Sequence, residues 1–223
     1  MRFFPLYIDL SAKKILIVGA GRVGQRKMRA LLAARPQSIT LLDPNFDPRG
    51  IEIFSTPGLI CLPRAFTPED LEDKDLVFAA SSDPPLNARI AALCAERKIL
   101  CNCASGPAAG DCIMPAHFYS EGICLAVGTE GQSPALAKRL REDLEAYVAS
   151  RYAGLLALLG KLRAPLLELG LGPEADAEIF RALVFSPLAE CLEKGEKDKA
   201  GAILREILPT AMKARAGEFL YGF

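Results

Sequence analysis

The sequence has no surplus of either charge. Its 27 Lys and Arg balance 27 Asp and Glu, and no block of basic residues occurs. That removes the electrostatic ground for binding nucleic acid or an anionic membrane surface. No apolar run is long enough to span a bilayer. The start, MRFFPLYIDL, has a proline at 5, an aspartate at 9 and no long apolar centre, so it does not read as a secretory signal. There are seven cysteines but no Cys-x-x-Cys pair. An odd count in a chain of 223 residues favours reduced thiols over a disulfide scaffold. The expected compartment is cytoplasmic, and no metal site is expected. Cys101 and Cys103, two apart, are expected on opposite faces of a strand. Histidine is nearly missing, with His117 alone.

The residues present are those of an ordinary soluble globular chain, 51% apolar and 24% charged. The length allows one large domain or two small ones. KILIV (14–18) reads as a strand buried on both faces, and residues 22–34 as a helix with Val23, Met28, Leu31 and Leu32 apolar. Further strands are expected at 38–43, 51–54, 59–63, 75–81 and 98–103, with a helix at 86–96. The alternation predicts an α/β fold with a doubly wound parallel sheet of the Rossmann kind. MPAHFYSEG reads as a loop, and ICLAVGT (123–129) as one more strand. Ser133-Pro134 then opens a helical stretch in which Leu136, Leu140, Leu144, Val148 and Leu155 keep a helical period. Only helices follow, with breaks near Gly170–Pro173, Gly195 and Pro209. Three units are expected: residues 1–112 as a dinucleotide-binding domain, 113–147 as a connecting unit, and 148–223 as an all-helical C-terminal domain.

The chemistry concentrates in KKILIVGAGRVGQRK, residues 13–27. A Gly-x-Gly-x-x-Gly pattern alone is weak. Here a buried strand precedes it, a helix follows it, and an acid, Asp43, closes the next strand about 20 residues on. Gly19 permits the turn, Gly21 admits a pyrophosphate to the backbone, and Gly24 lets the helix pack close to the sheet. The helix start then offers N–H groups and a positive dipole end to phosphates. The candidate cofactor contacts are Gly19, Gly21, Arg22, Val23, Gly24 and Asp43. Asp43 would accept bonds from ribose hydroxyls and repel a 2′-phosphate, which favours NAD over NADP. Arg22, Arg26 and Lys27 read as a solvated helix face, with some chance of assisting phosphates. Ser81, Ser82 and Asp83 lie beyond a strand end, where an open sheet binds ligands; cofactor contact and helix capping both remain open for them.

Five stretches in order, FPLYIDL, ILIVGAGRVGQRK, VFAASSDPPLN, CNCASGPAAGDCIMPA and LAVGTEGQSPALAKRLREDLE, resemble the precorrin-2 dehydrogenase and sirohydrochlorin ferrochelatase family, over roughly residues 4–146. The resemblance implies NAD-dependent oxidation of precorrin-2, a tetrapyrrole with eight carboxylates, to sirohydrochlorin in siroheme and, in some pathways, cobalamin (porphyrin-type) biosynthesis. It also implies a Rossmann domain, a dimerisation unit at 113–147, a helical domain and a homodimer with interlocked middle units. Some members also insert ferrous iron. The sequence shows no methyltransferase module of the kind some members carry, so methylation is expected from another chain.

The family places an aspartate in an Asn-x-x-Asp pattern after the last Rossmann strand. This chain has Asn102-Cys103-Ala104-Ser105. A serine is no base near neutral pH without an activating partner. Asp111, Ser105 and His117 are therefore the catalytic candidates, and Asn102, Thr129, Gln132 and Ser133 the candidate substrate contacts. Ser133 with the helix start suits a carboxylate, or serves as N-cap only, while Lys138, Arg139 and Arg141 meet the substrate or form a solvated face. Three other functions fit: a bifunctional dehydrogenase and ferrochelatase, an NAD-sensing regulatory domain, or a purely tetrapyrrole-binding protein, which Ser105 leaves open. The regulatory domain needs neither the Gly-x-Ser-Pro helix nor the helical tail.

Overall fold

The computed structural model describes residues 2–46, 56–106, 109–120 and 122–222. The strand expected at 51–54 lies outside them. The chain divides into two compact units, residues 1–114 and 115–223.

In the first unit, five parallel strands form one sheet. They are β1 (Lys14–Val18), β2 (Ser38–Leu42), β3 (Leu59–Leu62), β4 (Leu76–Ala79) and β5 (Leu100–Cys103), in the order β3-β2-β1-β4-β5. Strand side chains alternate between faces. Ile15 and Ile17 of β1 therefore meet Met28 and Leu31 of helix α1 (Arg22–Ala33), with Ile39, Leu41 and Phe78 beside them. Leu16 and Val18 point the other way, toward Ile90, Ala91 and Cys94 of α2 (Pro84–Glu96). Cys101 and Cys103 are not on opposite faces. As residues i and i+2 of β5 they share the face that packs on α2. All seven cysteines are free thiols. Chain order reverses between β1 and β4, so the crevice beyond their carboxyl ends is the topological switch point where open α/β sheets bind ligands.

In the second unit, β6 (Ala116–Ser120) pairs antiparallel with β7 (Ile123–Val127). Residues 116–120 are thus a strand rather than the expected loop. Phe118 is the one buried side chain of β6, and Gly122 at φ 83° turns the chain back, so backbone pairing with β7 outweighs the mixed polarity of AHFYS. The hairpin packs on α3 (Pro134–Arg151). The helical stretch then breaks at Tyr152, and α4 (Ala153–Glu168) follows. Leu155, Leu158, Leu162 and Leu166 of α4 recur at helical spacing and form the spine of a second core. Around it stand α5 (Pro173–Phe185), α6 (Leu188–Glu193), α7 (Lys197–Ile207), α8 (Thr210–Lys213) and α9 (Ala216–Phe219). Among the described residues no helix is long and apolar enough to cross a membrane.

Candidate active site

The glycine loop between β1 and α1 is fixed by sterics. Gly19 has φ +105°, and a Cβ there would lie 2.4 Å from the Ala80 carbonyl oxygen. A Cβ on Gly24 would lie 1.8 Å from the Gly19 oxygen, so the first turn of α1 sits directly on the loop. At Gly21 a Cβ would meet nothing within 4 Å. Gly21 is also the N-cap of α1, with no side chain capping it and no acid in the first turn. Open space, uncapped N–H groups and the dipole end of a 12-residue helix coincide at one point. That is the cradle a pyrophosphate fills. Arg22 and Val23 are exposed at its rim.

Asp43 stands just past β2. Its Oδ2 accepts the Ala20 N–H at 2.8 Å, and its Oδ1 accepts the Asn45 N–H at 2.9 Å. The carboxylate is therefore held against the glycine loop. Each oxygen keeps a further lone pair for a ribose hydroxyl.

Beyond β4 and β5 lies a network centred on Asn87 of α2, whose side chain is wholly inaccessible at 0% exposure. Its Oδ1 accepts the Ser81 N–H at 3.0 Å and lies 2.8 Å from Ser81 Oγ. Its Nδ2 donates to the Ser81 carbonyl at 2.9 Å and to Ser105 Oγ at 2.7 Å. Ser81 Oγ also lies 3.1 Å from the Asp83 carbonyl, so its single hydrogen is used inside the loop on either path. Asp83 caps α2 by accepting the Leu86 N–H at 3.3 Å. Ser82 is exposed. Sequence reading leaves Asn87 unassigned, although it closes the quoted stretch VFAASSDPPLN.

A second cluster was read differently from the sequence. Lys27 is not on the solvated face of α1 with Arg22 and Arg26; it is 7% exposed. Its ammonium donates to Asn102 Oδ1 at 2.5 Å and lies 5.3 Å from the centre of the Phe78 ring. Burial, then Arg26, pulls its pKa below the usual lysine value. The buried positions of α1, Gly24, Lys27, Met28 and Leu31, follow i, i+3, i+4, i+7, a spacing that places Lys27 on the inner face. Asn102 is itself buried, and its Nδ2 donates to the Cys112 carbonyl at 2.9 Å. Burial raises the Cys112 thiol to about 11.

The catalytic candidates lie on different elements of the chain. Ser105 stands just beyond the last β4–β5 pairing, Ala104 N–H to Ala79 oxygen at 2.9 Å. Asp111 lies back along β5, its N–H donating to the Cys101 oxygen at 2.9 Å. Gly110 permits that return, because a Cβ there would lie 2.5 Å from the Cys101 oxygen. His117 is exposed on β6 of the second unit, with Nδ1 3.0 Å from the Pro115 oxygen. Among the described residues no group of three or more His, Cys, Asp and Glu gathers to hold a metal ion.

In the second unit, Ser133 is the N-cap of α3 and accepts the Leu136 N–H at 3.2 Å. Thr129 Oγ1 accepts the Ser133 N–H at 3.2 Å and lies 3.1 Å from the Ser133 oxygen, and Gln132 is exposed beside them. Lys138 pairs with Glu142 at 3.9 Å and Arg139 with Asp143 at 3.0 Å. Arg141 pairs with Glu142 and Glu145. These cations lie in ion pairs along their own helix.

Comparison with known proteins agrees with this geometry. Residues 6–116 match the family model of putative NAD(P)-binding domains. Over the whole chain, the sequence is 32% identical to the siroheme synthase of Thioalkalivibrio sulfidiphilus, covering 46% of that protein. It is 33% identical to siroheme synthase 1 of Aeromonas hydrophila, again over the whole chain and 48% of that protein. With the siroheme synthase of Azotobacter vinelandii it shares 31% identity over 98% of this chain and 47% of the relative. The chain thus spans about half the length of the curated relatives it matches. The solved structure of SirC, precorrin-2 dehydrogenase, shares the fold: TM-score 0.74 over 92% of this chain and 98% of that one, at 24% identity.

Proposed function

We propose that this chain, which is similar to siroheme synthases over about half their length, is an NAD-dependent dehydrogenase oxidising precorrin-2 to sirohydrochlorin. The observation that carries the reading is the cradle at Gly21, open where a side chain would stand and backed by an uncapped helix start. The bound cofactor supplies the hydride acceptor. The chain's own residues bind and orient. Gly19, Gly21 and Gly24 shape the phosphate site, with Arg22 and Val23 at its edge. Asp43 takes the ribose hydroxyls and disfavours a 2′-phosphate, which supports NAD rather than NADP. Hydride transfer needs chiefly proximity and alignment of the two ring systems, and the residues that hold them count for more than any single acid or base.

The substrate's carboxylates call for N–H and hydroxyl donors. Asn102, Thr129, Gln132 and Ser133 are the proposed substrate contacts, the last three at the start of α3. Asp111 and His117 are proposed proton acceptors, each without a side-chain ion pair among the described residues. Residues 113–147 are the proposed dimerisation unit, in line with Leu136, Leu140 and Leu144 of α3, which remain 51%, 39% and 37% exposed on one side of the helix.

The test is an anaerobic assay of the purified chain with precorrin-2 and either NAD or NADP, following sirohydrochlorin by absorbance. NAD-dependent turnover is the expected result. NAD binding without turnover would replace the enzyme with a nucleotide-sensing domain. Adding ferrous ion to the product in a second arm measures metal insertion separately.

A further inference from the structure

The hydrogen-bond polarity of the Asn87 network is fully determined. Ser81 presents a backbone N–H and a backbone carbonyl to the same side-chain amide, at 3.0 and 2.9 Å. The N–H must meet Oδ1 and the carbonyl must meet Nδ2, so the amide has one orientation. Nδ2 then has one hydrogen left, and it is directed at Ser105 Oγ, 2.7 Å away. A hydroxyl that accepts through a lone pair points its own hydrogen elsewhere. Among the described residues no acceptor faces the Ser105 hydrogen, and Ser105 is exposed, one residue past the final β4–β5 pairing. Asn87 is at 0% exposure, and its side-chain partners among the described residues are Ser81 and Ser105 alone.

Resting on the dehydrogenase reading above, we propose that Asn87 is a positioning residue that locks Ser105 as a hydrogen-bond donor, aimed at an oxygen acceptor of the ligand beyond the ends of β4 and β5. Position 105 then works with the opposite polarity to a general base. It delivers a proton-bearing group to an acceptor and takes no proton away. Two ligand oxygens have the required chemistry: a substrate carboxylate and the carboxamide oxygen of the nicotinamide. A charged acceptor makes the stronger bond, so its loss weakens binding by about tenfold or more, and loss of a neutral one by about two- to tenfold.

The experiment uses the full chain and two readouts: the dissociation constant of NAD by titration, and KM and kcat for precorrin-2 under anaerobic conditions. Ser105→Ala is expected to weaken one of the two, at least about threefold. A shift in KM identifies the substrate carboxylate; a shift in the NAD constant identifies the carboxamide. Ser105→Thr keeps the hydroxyl and is expected to restore that readout. Ser105→Asp, which only accepts when ionised, is expected to be no better than alanine. Asn87→Asp removes the donor to Ser105, and the Asn87→Asp/Ser105→Ala double variant is expected to be no worse in that readout than Ser105→Ala alone.

An aspartate at 105 that equals or exceeds serine in both readouts would overturn the proposal, because an acceptor would then serve. So would fully additive losses in the double variant, or a Ser105→Ala chain unchanged in both readouts. If the Asn87 variants do not fold, the three substitutions at 105 decide alone. If the unmodified chain binds NAD but oxidises no precorrin-2, the dehydrogenase reading falls. The NAD titration then judges Ser105 by itself: a weakened constant in Ser105→Ala upholds the donor, and an unchanged one removes it.

Discussion

A single Cβ is enough to close the dinucleotide cradle. Gly24→Ala would place a methyl group 1.8 Å from the Gly19 oxygen, with backbone rather than a flexible side chain as the obstacle. The loop or the helix start must move, and both shape the phosphate site. The expected outcome is a loss of NAD affinity of more than about tenfold together with a lowered melting temperature. Titration and a thermal melt measure the two, and an alanine chain binding NAD normally would show that the close approach is dispensable. Charge acts at the same scale in Asp70. Arg64 reaches it with two nitrogens, at 2.9 and 2.6 Å, and the Thr67 N–H at 2.8 Å. The Arg64 bond first, and the Thr67 amide with it, holds its carboxyl below the ordinary 3.8. A depressed carboxylate pKa contributes stability that is fully present above the unfolded value and is lost as pH falls through the folded one. The stability difference between the unmodified chain and Asp70→Asn should therefore shrink as pH is lowered from about 6 to about 3. Denaturant melts across that range would show it, and a pH-independent difference would rule out the charge as its source.

At the scale of elements, the three leucines of α3 stay exposed, whereas four of the seven in α4 are buried. Leu158 and Leu162 of α4 are wholly buried in the helical core. Leu158→Ala should cost about 2–5 kcal/mol, read from urea melts, since neighbours refill such a cavity only in part. Leu140 of α3 lies on an exposed apolar stripe. Leu140→Asp should leave the stability of the monomer within about 0.5 kcal/mol while abolishing the proposed dimer. Light scattering after gel filtration would record the mass, and an unchanged dimer would remove α3 from the interface. The period of α3 was legible in the sequence, but the face it buries was not. Of the expected period within α3 only Val148 is buried, joined by Ala137, while Leu136, Leu140 and Leu144 stay exposed.

At the scale of the whole molecule, each of the two units has its own core. The cofactor cradle lies wholly in the first. A ligand raises the stability only of what binds it, by about 2.7 kcal/mol at a hundred times its dissociation constant. Calorimetry should accordingly resolve two transitions, with saturating NAD moving one and leaving the other in place. A single transition displaced as a whole by NAD would show that the units unfold as one.

The sequence by itself determined the parallel sheet, the glycine loop and the acid that follows it. Each of these is governed by local rules: continuous apolar runs for buried strands, glycine where a Cβ clashes, and an acid at a strand end. It also located Ser133 as an N-cap and left Asp83 open between cap and cofactor contact; both bonds reach only three residues ahead. Only the tertiary structure decided what lies far apart in the chain. Lys27 and Asn102 are 75 residues apart, and Asn87 and Ser105 are 18 apart. A polar side chain in a helix reads as solvated until a partner arrives across the sheet. Burial then makes that partner obligatory, because a desolvated donor or acceptor left unpaired costs about 1–3 kcal/mol. That is why the sheet could be read from the sequence, while the bond from Asn87 to Ser105 could not.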